Sequence, residues 1–236
     1  MPKVTSNTLL TPDESVEMLT RLIRWQKPFF FTKYGDGALE CIFHRDRGKT
    51  CDGEQYTKEL GRELLGCWIS FADKAHIGDW FSMTSGPAYY VDEYLRLVDF
   101  ARPIWLHFET VLLMRKSQQL LDFYRALKSD NRRKCFMGPE AMRPAAIAFG
   151  AEFVPTPMTN LHAACGGLLH GLKAIQPELL IWGAGMAGHI PVTEYWLATG
   201  ATCVNLGSAL DPIYRGKTRQ QQLHPIEAKA FLAGVL

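Results

Sequence analysis

The stretch FTKYGDGALECI, Phe31 to Ile42, sets two carboxylates four residues apart directly after an apolar run. If a helix begins near Asp36, Glu40 projects from the same face one turn later. Two such carboxylates at a strand end can hold a hard divalent cation, with substrate phosphates and water completing its shell. The plainer alternative makes Asp36 a helix N-cap and Glu40 a solvated side chain. A second segment, LLIWGAGMAGH, runs from an apolar stretch into Gly183-Ala184-Gly185-Met186-Ala187-Gly188. This satisfies G-x-G-x-x-G, in which small residues let backbone N–H groups approach a phosphate at a helix start. Glycines that merely allow tight strand–helix packing would read the same way. A third, LGSALDPIYRGKTR, joins Ser208 and Asp211 to Arg215, Lys217 and Arg219, cations suited to phosphate oxygens unless the loop is simply basic and solvated.

The elements that must hold these turns follow from hydrophobic periodicity. Thr11-Pro12-Asp13-Glu14 is a helix start, with apolar Val16, Leu19, Leu22 and Ile23 at helical spacing behind it. Residues 28–32 read as a buried strand, and a helix begins near Asp36. The polar loop HRDRGKTCDGE leads to a helix over about 55–71, and IGDWFSM is a weak strand or loop. YYVDEYLRLVDF reads as a helix, RPIWLHF as a strand and ETVLLMRKSQQLLDFYRAL as a long helix. RKCFMG, AEFVPTP, ELLIW and TCVNLGS are strands, separated by the helices PEAMRPAAIAFG, NLHAACGGLLHGLKAI and HIPVTEYWLATG. PIEAKAFLAG closes the chain as a helix. Strands alternating with helices predict an α/β fold: a Rossmann-like, mostly parallel sheet with helices on both faces, as one domain over 1–236. Ligands of such sheets bind beyond the carboxyl ends of the strands, where YGDG, WGAG and LGSALD all fall.

Bulk properties narrow the class. The formal net charge of +2 does not announce a polyanionic partner. No apolar run approaches a membrane span, and MPKVTSNTLLTPDES carries no signal-peptide pattern, so a cytoplasmic protein is expected. The six cysteines form no C-x-x-C pair and read as reduced, mostly buried residues. Trp80, Trp105, Trp182 and Trp196 read as core rather than sugar platforms, with Trp80, in the polar IGDWFSM, the one left open as an acceptor or base-stacking contact. His162, His170 and His224 lack ligand spacing to one another.

Taken in order, YGDG with its acid-containing helix, the Cys51-Asp52-Gly53 loop, WLHFE, CFMGP, WGAGMAGH and LGSALD resemble the GT-D-fold glycosyltransferases, bacterial and phage-type enzymes. The resemblance runs from about Phe29 to Arg219, with YGDG and GSALD its most specific pieces. It implies transfer of a hexose from a nucleotide-sugar donor, typically UDP-glucose, to an acceptor hydroxyl, with Mn²⁺ or Mg²⁺. The family's metal motif is Asp-x-Glu. Asp36 matches it, but Ala38 stands at the acidic position, which leaves three alternatives: Glu40 substitutes from the next turn, one carboxylate holds the metal, or the metal is dispensable. The donor-binding set is then Lys33, Gly35, Asp36, Gly37, Gly183, Gly185, Gly188, Ser208, Asp211 and Arg215, with Asp36 and Glu40 as metal ligands.

Transfer also needs a base for the acceptor proton. Glu109 is the first candidate, with His107 on the same side of its strand by alternation. Asp52 and Asp211 are rivals. The acceptor is a glycan or, in a phage-type role, a modified DNA base. Residues 45–49 (RDRGK) and 131–134 (NRRK) are the segments that would meet a nucleic-acid backbone. Two other classes stay open. One is a nucleotide-sugar-binding module without turnover, motivated by Ala38. The other is an NAD-dependent oxidoreductase, against which stand Asn205 and Ser208 in place of a ribose-binding acid and the roughly 50 residues left after the glycine turn. Oligomeric state is not legible.

Overall fold

The computed structural model describes residues 10–43, 48–50, 53–74, 81–85, 104–106, 118–210 and 233. Helix α1 (Pro12–Arg24) starts as its sequence demands. The Glu14 amide donates to Thr11 Oγ1 at 3.2 Å and the Thr11 amide donates back to Glu14 Oε2 at 2.8 Å, which satisfies two orphan N–H groups. Then follow β1 (Phe29–Lys33), α2 (Asp36–Phe43), α3 (Lys58–Lys74), β2 (Phe81–Ser85), β3 (Ile104–Leu106), α4 (Gln118–Ser129) and β4 (Lys134–Pro139). The second half holds α5 (Arg143–Phe149), β5 (Glu152–Thr156), α6 (Leu161–Ile175), β6 (Leu179–Trp182), α7 (His189–Thr199) and β7 (Thr202–Asn205).

Three boundaries differ from expectation for local reasons. Helix α3 begins at Lys58 rather than near 55, because Thr57 Oγ1 accepts the Leu60 amide at 3.1 Å and so caps it. Residues 140–142 form a 3₁₀ turn, and α5 starts at Arg143 with Pro144 in its first turn, where a missing N–H costs nothing. Strand β2 covers Phe81–Ser85, later than IGDWFSM suggests. The helices expected from YYVDEYLRLVDF and the first half of ETVLLMRKSQQLLDFYRAL lie outside the described residues, as does nearly all of PIEAKAFLAG.

The seven described strands form one parallel sheet in the order β3-β2-β1-β7-β6-β4-β5. Side chains alternate across it and build two cores. Phe30, Tyr34, Cys135, Met137, Leu180, Trp182 and Cys203 pack under α2, α3, α6 and α7. Phe29, Phe31, Phe136, Leu179, Ile181 and Val204 pack under α1, α4 and α5. Helices on both faces explain why the strands read as continuous apolar runs. Five cysteines (Cys41, Cys67, Cys135, Cys165, Cys203) are free and buried, and Trp182 and Trp196 are core, as their sequence setting implies.

Register brings the strand ends level. Met137 lies opposite Trp182, Trp182 opposite Asn205, and Phe31 opposite Val204, so β1, β7, β6 and β4 stop along one rim. The chain leaves β4 toward β5 and leaves β6 toward β7. Adjacent strands thus send their connections in opposite directions, and this switch opens a crevice at their carboxyl ends.

The opposite rim is stitched by charge. Arg132 donates from Nε to Asp130 Oδ1 at 3.0 Å, from Nη2 to Oδ2 at 2.7 Å, and from Nη1 to Thr202 Oγ1 at 2.7 Å. Arg133 donates from Nε to the Gln176 carbonyl at 2.7 Å, and Lys134 Nζ donates to the Lys128 carbonyl at 2.7 Å, at the end of α4. The NRRK segment is therefore committed to the sheet's amino-terminal edge, away from the crevice. Removing the carboxylate strands a largely buried guanidinium. Asp130→Ala is expected to cost about 3 kcal/mol, read from the urea midpoint, and an unchanged midpoint would contradict the pairing.

Candidate functional site

A cleft of about 640 Å³ lies over the carboxyl rim, within the size range of small-molecule sites. The ends of five strands and the turns after them supply its walls: Lys33 and Gly35 to Ala38 from β1, Pro139 from β4, Thr156 to Met158 from β5, Gly183 to Met186 from β6, and Asn205, Gly207 and Ser208 from β7. The 49–56 loop closes one side with Lys49, Thr50, Glu54 and Tyr56.

The floor is a row of close backbone approaches. A Cβ on Gly183 would stand 3.0 Å from the Gly207 carbonyl oxygen, so a side chain there would push the β6 and β7 turns apart by a few tenths of an ångström. Gly207 itself takes a left-handed φ of +53°, stabilised where its amide donates to Asn205 Oδ1 at 2.7 Å. The Lys33 ammonium lies 3.6 Å from where a Gly207 Cβ would be. The Gly183 amide is engaged by the Met137 carbonyl at 3.0 Å, which leaves the amides of Ala184 to Met186 as candidates for an anion. A lysine and a run of small-residue amides on one floor form a setting for phosphate oxygens.

The glycines divide by role. A Cβ on Gly185 would make only an ordinary 3.9 Å contact with Leu161, and one on Gly35 would meet nothing within 4 Å. Gly188 is different: its Cβ would fall 2.8 Å from Ala184 Cβ and 3.3 Å from the Trp182 ring, and it is absent from the cleft lining. Gly188 thus serves strand–helix packing, while Gly183 and Gly185 border the cleft.

On the β1 side, Asp36 is the first residue of α2 and exposed. Its Oδ1 accepts the amide of the adjacent Gly37 at 2.9 Å, which is not N-cap geometry. Glu40 is half-buried one turn later, and the Tyr56 hydroxyl donates to its Oε2 at 3.5 Å. Burial, with the charges of Glu40 and then Asp36, pushes the Tyr56 phenol up to about 12, so both carboxylates bear on one point of the wall. Ala38 packs into the core at the cleft's base. Among the described residues no cluster of three metal-ligating side chains occurs. The donor set therefore fits a hard divalent cation only as two carboxylates completed by substrate oxygens and water.

Two side chains that the sequence did not flag hold the site together. Glu54, buried, accepts the amides of Leu161 at 2.7 Å and His162 at 3.1 Å, and so caps α6 from a distant loop. Asn160, at the cap position, makes no side-chain cap itself. His189, the first residue of α7, is buried in the cleft's base with Nδ1 2.9 Å from Thr32 Oγ1. Its ring stacks on Tyr34 at 4.2 Å and meets Trp182 edge-on at 4.9 Å. Burial pulls the imidazole down to about 3, opposed by a backbone hydrogen bond with Lys33, so it is neutral at pH 7.

Of the expected site residues, Lys33, Gly35, Asp36, Gly37, Glu40, Gly183, Gly185 and Ser208 line this one cleft. Asp52, His107, Glu109, Asp211 and Arg215 lie outside the described residues, as do Trp80 and His224. His162 sits on α6 with Nε2 3.2 Å from Glu63 Oε2, a helix-surface role.

No family model matches the sequence, and no curated protein matches it. Solved structures do. A glycosyltransferase of domain of unknown function 1792 from Streptococcus sanguinis superimposes with a TM-score of 0.61 over 92% of this chain and 87% of its own, at 12% identity. Another structure of that domain, described as a distinct glycosyltransferase fold, gives a TM-score of 0.61 over 94% and 88%, also at 12% identity. A selenomethionine form gives 0.58 at 11% identity. The chain has the fold of these structures.

Two outcomes test this geometry. Gly188→Ala should lose about 1–3 kcal/mol of stability by overpacking, whereas Gly185→Ala should leave the melting temperature nearly unchanged; equal effects would contradict the division of roles. His189 binds a proton more readily unfolded than folded, so its contribution is complete above pH 6.5 and is lost as pH falls toward 3. Its ring resonances should stay those of a neutral imidazole from pH 8 to about 5. A midpoint near 6.5 by NMR would refute the burial.

Proposed function

We propose that this chain is a nucleotide-sugar-dependent glycosyltransferase, a hexosyltransferase using a UDP-hexose and acting in the cytoplasm. The observation that carries the reading is the convergence of five strand-end turns on one cleft, with the Lys33–Gly207–Gly183 floor and the Asp36–Glu40 pair beside each other. The likeness to structures described as glycosyltransferases supports the same class at the level of fold.

In the proposed reaction the acceptor hydroxyl oxygen bonds to the anomeric carbon as the bond from that carbon to the diphosphate oxygen breaks. The leaving diphosphate gathers negative charge, which Lys33 and the amides of Ala184 to Met186 are positioned to bind. Asp36 and Glu40 would hold a divalent cation, which when bound supplies further neutralisation of that charge. The acceptor proton passes to Glu109 as base, with His107 and Asp52 as its rivals, and Ser208, Asp211 and Arg215 complete the donor's surroundings. His189, held neutral and engaged by Thr32, is not the base.

The acceptor is proposed to be a glycan hydroxyl. A DNA acceptor loses one of its two basic segments, since Arg132, Arg133 and Lys134 are bound within the protein. A second reading, a nucleotide-sugar-binding module without turnover, is favoured by one feature: Ala38 packs into the core where the resembled family carries an acid.

The test is a melting-temperature screen across UDP-, GDP-, TDP- and CMP-sugars with and without Mn²⁺, followed by donor hydrolysis and transfer assays. A UDP-hexose should raise the melting temperature, because a ligand binding only the native state stabilises it. Donor consumption should follow, and Asp36→Ala should abolish it while changing stability by less than about 0.5 kcal/mol, as for an exposed side chain. Tight UDP binding with no consumption would support the binding module. No nucleotide binding at all would overturn both.

A further inference from the structure

Strand β1 carries a polar residue in the middle of an apolar stripe. Phe30, Thr32 and Tyr34 alternate onto the face covered by α7. There Phe30 meets Trp196 at 4.7 Å between ring centres and Tyr34 stacks on His189. Thr32 is fully buried between them, and its hydroxyl is bound to His189 Nδ1 at 2.9 Å. An apolar pair of the same shape would fill this space without the cost of desolvating two polar groups. Folding alone does not call for it.

The pair's placement is what distinguishes it. Thr32 immediately precedes Lys33 at the end of β1, and His189 immediately follows the Gly183–Gly188 turn after β6. Strand β7 lies between β1 and β6, so no ladder hydrogen bond joins these two strands. The Thr32–His189 contact instead ties β1 to the start of α7, directly after the glycine turn that follows β6. The same imidazole is also acted on by the Lys33 backbone, one residue along the strand. Above it run the Lys33 ammonium, Gly207 and Gly183, side by side.

We propose that His189 is a positioning residue which, through Thr32 and the Lys33 backbone, holds the lysine end of β1 in register with the glycine turn of β6, so that ammonium and amides face one diphosphate. This rests on the glycosyltransferase reading for the ligand, but not on turnover. A neutral imidazole suits the role. It is a planar spacer with two hydrogen-bonding atoms, and it adds no charge beneath a site whose cation is Lys33.

The experiment measures UDP and inorganic pyrophosphate affinity by calorimetry, beside the melting temperature, for the wild type and four variants. Thr32→Val and His189→Phe each remove one partner. The double variant Thr32→Val/His189→Phe replaces both by apolar groups, which is close to neutral for stability. His189→Asn keeps a polar atom near the Nδ1 position. The double variant should melt near the wild type yet bind UDP and pyrophosphate about tenfold more weakly. His189→Asn should recover most of that affinity, and Thr32→Val alone should weaken binding even if the double variant does not fold. If transfer is measurable, the loss should appear in donor KM with kcat little changed. Wild-type affinity in either Thr32→Val or the double variant would overturn the positioning role while leaving the glycosyltransferase reading intact. Absence of UDP and pyrophosphate binding in the wild type itself would overturn both.

Discussion

The Gly183 and Gly207 backbones approach so closely that a single methyl group on residue 183 would press against the opposing carbonyl, at 3.0 Å. That contact fixes how the turns after β6 and β7 lie against each other, and the rest of the cleft is arranged around it. The Asn205 side chain holds Gly207 in its left-handed turn from below, and Lys33 reaches the same point from β1. The contact depends in turn on the sheet. Only parallel strands stopping in register, with Met137, Trp182 and Asn205 in one row, bring turns distant in sequence to one level.

Electrostatically the cleft has two characters. Lysine and exposed amides lie along the floor, and carboxylates stand on the β1 wall around Tyr56. An anionic group bonded to a polyhydroxyl one matches this division, since a diphosphate takes the donors and sugar hydroxyls can donate to carboxylates. Glu54 bears on the same balance. By taking the first amides of α6, it commits a second helix start in the cleft to an internal partner. The cleft's remaining backbone donors then come from the glycine turn and the start of α2.

Much of the fold was legible in the sequence because its signals are local. The Thr11–Glu14 capping box, the Pro144 helix start and the strand-and-glycine pattern at Trp182–Gly183 need only neighbours in the chain to be read. The parallel, doubly covered sheet followed from that alternation, and the rule that strand ends meet placed Lys33, Asp36, Gly183, Gly185 and Ser208 at the one rim where the cleft lies. What sequence could not give is long-range. Glu54 caps a helix 107 residues away, His189 pairs with a threonine 157 residues away, and Tyr56 faces Glu40 from a separate loop. The partners that each glycine's missing side chain would meet were likewise not legible. Gly183 and Gly188 are the first and last glycines of one motif, yet one faces a backbone carbonyl and the other Ala184 and a tryptophan ring. Nor does a basic run such as NRRK reveal that Arg132 is paired with Asp130 while Arg133 and Lys134 donate to backbone carbonyls at the far edge of the sheet.

A crystal structure of the complex with UDP and Mn²⁺ addresses the central claim most directly. The account predicts diphosphate oxygens within about 3 Å of the amides of Ala184 to Met186 and of Lys33 Nζ, the spacing of charge-assisted hydrogen bonds. A nucleotide seated on another face of the sheet, or one whose phosphates avoid the Gly183–Gly207 floor, would contradict it.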